Sequence, residues 1–238
     1  MNTANSPRRP CAILLIHGSG SSDAIFKFQT SKIRATLKDK FTFVFAKAPH
    51  PSEPGPGVLP FFAKMPPYFT WFRKGIEETK HEIGIFNKCI EHTVQAWKAE
   101  NPSGAIVGVL GFSQGGIATA LLLWEQQVGL APWLPDLEFG ILVCSGYHDA
   151  LTGNMGDLSV TSHAGDHVSA IKLPTLHLYG RQDIYGAPSS KQMYAKYFGK
   201  GRAQLKGFNG GHELPRDQDD LKMISTFAVT ENKNSKAR

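Results

Sequence analysis

The stretch from Ile106 to Leu123, IVGVLGFSQGGIATALLL, constrains this chain more than any other. A short apolar run ends in Gly111-Phe112-Ser113-Gln114-Gly115, and an Ala/Leu-rich segment of helical character follows at once. This is G-x-S-x-G set between a buried strand and a helix, the placement of a nucleophile elbow. The turn is sharp and Ser113 must adopt a strained backbone, so its neighbours have to be small. Gly111 and Gly115 let strand and helix pass without Cβ clashes. The pattern alone proves little, because a chain rich in Gly and Ser can produce it by chance. A glycine-rich strand-to-helix turn without chemistry is the competing reading, and the rest of the chain has to decide.

A chain of 238 residues, 41% of them hydrophobic, can bury one sizeable core. Its expected organisation is a single domain over residues 11–230, a disordered tail at 1–10 and a basic tail at 231–238. No apolar run reaches transmembrane length, and no secretory-type leader is apparent, so a cytoplasmic protein is expected. Cys11, Cys89 and Cys144 lie far apart in apolar segments and read as buried free thiols. The formal charge of +6 is diffuse, and much of it comes from the ends, Arg8-Arg9 and Lys233 to Arg238. No basic stripe with interleaved aromatics accompanies it, so neither nucleic acid nor membrane is an expected partner.

Cys11 to Ile16 (CAILLI) reads as a central parallel strand. It ends in His17-Gly18-Ser19-Gly20-Ser21-Ser22. The third glycine of a dinucleotide fingerprint would fall on Asp23, so that fingerprint fails. A loop of small residues there suits oxyanion binding instead, with the backbone N–H of Ser19 as donor. A helix over Ile25–Leu37 and a strand over Phe41–Ala46 follow. The segment from Pro49 to Gly75 then carries seven prolines with Phe61, Phe62, Tyr68, Phe69, Trp71 and Phe72. Proline excludes regular structure over most of it. It reads as a cap over residues 49–75 lining an apolar pocket, or as a loop packing its aromatics on the sheet edge. Further on come a helix from about Glu77 to Glu100, strands at Phe139–Cys144, Leu173–Tyr179 and Ala203–Phe208, and helices at Gln192–Phe198 and Pro215–Phe227. A polar excursion covers Tyr147–Val168. Alternating strands and helices imply a parallel sheet with right-handed crossovers. Bringing the Ser19 loop to Ser113 requires the order 2-1-3-4-5-6.

A serine hydroxyl needs a base, and the base needs a group that fixes its tautomer. Among nine histidines, His212 follows a strand and two glycines, which suits a loop carrying an imidazole across the sheet edge. His17 and His177 read as structural. The acid is expected just after a strand: Asp183 is favoured because its strand neighbours the one before His212, and Asp149 is the reserve. The chain order Ser, Asp, His matches the α/β-hydrolase order. Zinc-peptidase and Walker patterns are absent, and neither metal nor cofactor is expected.

The quoted segments LLIHGSGSS, FVFAKAPHP, PYFTWF, LGFSQGGIATAL, ILVCSGYHD, LPTLHLYGRQD and GFNGGHELP resemble the fungal family of serine hydrolases, whose animal relative is the ovarian-cancer-associated hydrolase. The resemblance implies an α/β-hydrolase fold with Ser113, Asp183 and His212 as triad. It also implies the backbone amides of Ser19 and Gln114 as oxyanion hole. Candidate substrate contacts are Tyr68, Trp71, Phe72, Tyr147 and Leu214. Two departures, Ser-Gly-Ser-Ser after His17-Gly18 and Lys47 before Ala48-Pro49, bear on substrate choice. The family implies a carboxylesterase or thioesterase, and in fungi release of a polyketide chain from a synthase. The expected partner is thus a small acyl ester or thioester, in one form carried on an acyl carrier protein. Lactonase, acyl-transferase and cyclase chemistry use the same acyl-enzyme, and a non-catalytic binder on this fold is the reading from another class.

Overall fold

The computed structural model describes residues 9–73, 79–157, 171–184, 186–198 and 202–236. Residues 1–8 of the expected N-terminal tail and 158–168 of the polar excursion lie outside the described residues. Strand β1 (Cys11–Ile16) is buried along its whole length. Side chains alternate across a strand, so a strand covered on both sides must be apolar at every position. Ala12, Leu14 and Ile16 enter one core cluster, and Cys11, Ile13 and Leu15 enter the other.

The segment expected as one helix over Ile25–Leu37 is two, α1 (Asp23–Gln29) and α2 (Ser31–Leu37). Thr30 makes the break: its hydroxyl donates to the Phe26 carbonyl at 2.6 Å, beside its own backbone N–H. Such a local side-chain bond competes with the helical ladder. Strand β2 (Thr42–Ala46) follows, and then β3 (His50–Ser52) and β4 (Tyr68–Thr70) pair as a small antiparallel sheet of their own. Short pairing at the two ends of the Pro-rich segment escaped the sequence reading, since three-residue strands carry no usable periodicity.

Helix α3 (Thr79–Glu100), strand β5 (Ala105–Phe112) and helix α4 (Gln114–Gln127) build the centre. Beyond them come β6 (Phe139–Val143), α5 (Asp149–Asp157), β7 (Thr175–Gly180), α6 (Gly186–Tyr197), β8 (Ala203–Phe208) and α7 (Gln218–Lys236). Helix α5 starts the stretch read as a polar excursion, and α7 runs past the Phe227 expected as its end. The main sheet is parallel throughout, in the order β2-β1-β5-β6-β7-β8. Counting only its own strands, this is the 2-1-3-4-5-6 order that the Ser19 loop demanded. Side chains of α3, α4, α5 and α6 cover one face, and those of α1, α2 and α7 the other. Among the described residues, no helix is long and apolar enough to cross a membrane.

Candidate active site

Ser113 stands between β5 and α4 with φ 54° and ψ −117°, a backbone that a residue with a side chain adopts at a cost of about 1–3 kcal/mol. The surrounding bonds hold it there. Its N–H donates to the Val143 carbonyl at 3.0 Å, and its own carbonyl accepts from Gly116 and Gly146 at 2.9 and 3.1 Å. The close passage expected of the flanking glycines is real: a Cβ on Gly115 would lie 2.2 Å from the Ile16 carbonyl oxygen, and one on Gly111 2.0 Å from that of Gly115.

His212 and Asp183 reach this serine from loops at the same end of the sheet. Those loops are paired with each other. Arg181 and Gln182 donate through their backbones to the carbonyls of Phe208 and Gly210, each at 2.9 Å, so β7 and β8 continue their register beyond the sheet. His212 Nδ1 lies 2.6 Å from Asp183 Oδ2, and its Nε2 lies 2.9 Å from Ser113 Oγ. Asp183 is buried, and its Oδ1 accepts from the Gly186 N–H at 2.8 Å. With the carboxylate accepting a hydrogen bond from Nδ1–H, Nε2 is left to accept from the serine hydroxyl. The Phe112 ring packs 5.2 Å from the imidazole.

Cys144, directly after β6, lies below this pair with φ 45°. Its thiol approaches the carbonyls of Gly211 and Glu213, on either side of His212, at 3.8 and 3.5 Å. Burial pushes that thiol up to about 12, so it remains a donor. Ligand atoms of Cys144, Asp183 and His212 lie within 4.8 Å of one another. A metal would need the thiolate and the imidazole nitrogen that already serves Asp183. Their present bonding does not suit them to ligation.

The reserve acid is elsewhere. Asp149 begins α5 with its side chain 78% exposed, beside Lys196 and the Tyr147 hydroxyl. His17 is fully buried; its Nε2 accepts from the Ala48 N–H at 3.3 Å, and its Nδ1 side faces the Gly18 carbonyl at 2.7 Å. Burial lowers its pKa to about 4, and that of His177 to about 3, so both are neutral packing residues.

Among the described residues, the backbone N–H groups of Ser19 and Gln114 have no protein acceptor. That of Gln114 opens α4, where the first N–H groups lack an intrahelical partner. The Gln114 side chain is fully engaged, which the sequence reading missed. Its Oε1 accepts from Thr70 Oγ1 and Trp71 N, both at 2.8 Å, and its Nε2 donates to the Phe72 carbonyl at 2.9 Å. The signal lay in the PYFTWF segment, read there for its aromatics.

Trp71 and Phe72 correct the expected list of substrate contacts. They are 0% and 2% exposed and pack on Phe86 of α3, with the Trp71 indole N–H on the His17 carbonyl at 2.7 Å. An aromatic run in a loop looks the same in sequence whether it faces a pocket or the core. Tyr68 donates to the Phe62 carbonyl at 2.9 Å and closes the Pro-rich segment on itself. Tyr147 stacks on Tyr197 and accepts from Lys196. Leu214 lines a cavity of about 800 Å³ together with Phe28, Phe61, Phe62, Phe112 and His212. Its mouth also carries Lys32 and Arg216. Lys47, one of the two departures, lays its ammonium over the Phe69 ring at 4.6 Å and so braces β4. Another cavity, about 780 Å³, opens at the far end of the sheet around Arg9, Cys11 and Phe41. It contains none of the site residues.

The profile of a family described as "Serine hydrolase (FSH1)" matches residues 6–224. The "Dihydromonacolin L-[lovastatin nonaketide synthase] thioesterase" of Aspergillus terreus is 39% identical over 236 residues, covering 92% of each chain. "Esterase mlcF" of Penicillium citrinum is 39% identical over 225 residues, covering 91% of this chain and 88% of its own. Among solved structures, esterase PE8 superposes with a TM-score of 0.59 at 20% identity, over 96% of this chain and 95% of that one. At that identity the likeness concerns the fold, an α/β-hydrolase sheet.

Proposed function

The chain belongs to the FSH1 serine hydrolase family, and from that premise we propose that it cleaves an acyl thioester or ester through an acyl-enzyme on Ser113. The reading rests on one observation, the hydrogen-bonded run from Asp183 through His212 to Ser113. Ser113 Oγ attacks the acyl carbonyl as its proton passes to His212 Nε2. The bond from carbonyl carbon to the leaving sulfur or oxygen breaks, and His212 returns the proton to the departing atom. A water then repeats the sequence and frees the acid. Asp183 keeps the imidazole in the right tautomer and stabilises its charged form. The Ser19 and Gln114 amides hold the oxyanion, each worth on the order of a hundredfold or more in rate.

The relatives and the cavity support a substrate class. A thioesterase named for a polyketide synthase suggests an acyl chain held as a thioester on a carrier protein. The aromatic-walled cavity beside His212 has the size of a site for a bulky apolar group. A cytoplasmic location fits three free cysteines. We take residues 49–75 as the cap of a single domain.

The test is Ser113→Ala, assayed on p-nitrophenyl esters and on acyl-pantetheine thioesters. Turnover should fall at least about 10⁴-fold with the fold intact, and fluorophosphonate labelling should vanish. Surviving turnover would end the proposal. The ratio of thioester to ester activity in the unaltered chain then assigns the leaving atom.

A further inference from the structure

We propose that Thr70 is a positioning residue for oxyanion stabilisation, its hydroxyl tying the side chain of Ser19 to that of Gln114. The inference deepens the acyl-enzyme reading above and rests on it. Thr70 closes β4, is 7% exposed, and belongs to neither the β1 loop nor the elbow. Its Oγ1 nevertheless lies 2.9 Å from Ser19 Oγ and 2.8 Å from Gln114 Oε1, with the Phe72 carbonyl farther at 3.1 Å.

A threonine hydroxyl has one proton to give. The nearer acceptor, Gln114 Oε1, has no proton of its own, so Thr70 donates there and accepts from Ser19. The result is a directed chain, Ser19 O–H to Thr70 O–H to the Gln114 amide. That amide is pinned further by Trp71 N–H and the Phe72 carbonyl, so it cannot turn without breaking the chain. On the other side the Gly20 N–H donates to the Phe69 carbonyl at 2.8 Å, and Ser21 and Phe69 exchange bonds at 3.3 and 2.7 Å. Both residues that offer a backbone N–H to the oxyanion are therefore oriented by β4, and Thr70 is where the two supports meet.

Donors must point to the place where charge develops, within a few tenths of an ångström, before the reaction begins. Loosening both amides at once weakens transition-state binding more than ground-state binding, so kcat should carry the loss. Thr70 contacts no reacting atom in this scheme.

The experiment compares Thr70→Val, which keeps the shape and removes the hydroxyl, with Thr70→Ser, which restores it. Thr70→Val should lower kcat by about 10- to 100-fold, somewhat less than deletion of a whole oxyanion donor. KM should stay within about twofold, and affinity for phenylboronic acid, which forms a tetrahedral adduct, should fall by the same factor as kcat. Thr70→Ser should recover most of the rate. Ser19→Ala keeps its backbone N–H but cuts the same chain, so the double variant should be little worse than Thr70→Val alone. An unchanged kcat in Thr70→Val, or losses that multiply in the double variant, would overturn the bridge. If Thr70→Val fails to fold, Ser19→Ala with the boronate decides alone. Fluorophosphonate labelling of Ser113 in the unaltered chain tests the acyl-enzyme separately, so failure of one reading is not mistaken for failure of the other.

Discussion

The base and the tip of the segment from Pro49 to Arg73 are built to opposite rules. Its base, β3 and β4, is cross-linked to everything around it. The Glu82 carboxylate, 2% exposed, takes Arg73 Nε at 2.9 Å and Arg73 N at 3.2 Å, with His50 Nε2 at 3.1 Å from its second oxygen. Thr70, Trp71 and Phe72 hold Gln114, and Gly20 and Gly55 pass so closely that a Cβ on Gly20 would lie 2.0 Å from the Gly55 nitrogen. Among the described residues the tip has mainly local turn bonds, such as Phe62 N–H to the Val58 carbonyl at 2.9 Å, with the Tyr68 hydroxyl on the Phe62 carbonyl and Val58 buried. It leaves Leu59 and Phe61 49% and 87% exposed, and Phe61 lines the cavity. On the proposed function, one segment thus serves two needs. Rigid donors require an over-determined base, whereas taking up a bulky group requires apolar surface that has not yet found a partner.

The largest effect that separates base from tip is expected at Gly20. Gly20→Ala meets both the Gly55 backbone and a φ of 68°, and should destabilise the fold by about 3 kcal/mol or more, with turnover lost in parallel. Thermal melts followed by circular dichroism read it. A Tm within a degree or two of the unaltered chain would mean that the base is looser than drawn.

Glu82→Gln comes next. Burial alone would raise this carboxyl, but the Arg73 hydrogen bonds, helped by His50, hold it below its ordinary value of 4.5. A carboxyl with a depressed folded-state pKa contributes its stability above the unfolded value and loses it as pH falls through the folded one. Glu82→Gln should therefore cost about 2 kcal/mol at pH 7. The gap in Tm between the two proteins should close as the pH drops below 4.5. A gap independent of pH would remove the charge from the account of the base.

Phe61→Ala should have the smallest effect on stability, with Tm unmoved within about a degree, because an exposed ring contributes little to the folded state. Its signature is kinetic. KM for a bulky acyl thioester should rise about fivefold, the worth of roughly 1 kcal/mol of lost apolar contact. KM for p-nitrophenyl acetate should not move. A Tm drop comparable to that of Glu82→Gln would erase the distinction between base and tip.

Much of this was legible in the residues, and the reason differs from case to case. CAILLI and FGILVC announce doubly covered strands because alternation fails when both faces are buried. The elbow is readable because only glycine tolerates the approach of β5, α4 and the Ile16 carbonyl. Placing Asp183 beside His212 follows from strand order, since β7 and β8 are neighbours. Thr30 was invisible as a helix break, because its effect depends on a hydroxyl turning back to the Phe26 carbonyl. Trp71 and Phe72 were misread because composition reports that a side chain is aromatic, not which way it faces.

The sequence by itself determined the strands of the main sheet, their order and the end of that sheet at which a hydroxyl, an imidazole and a carboxyl would gather. Periodicity and turn chemistry are local, and they survive in a linear string. Only the tertiary structure decided that Gln114 would grip residues 70–72, that Thr70 would bridge to Ser19, and that Glu82 would anchor Arg73 from α3. Those are hydrogen bonds between groups far apart in the chain. Their strength depends on distance and angle, which no residue type encodes until packing has fixed the backbone.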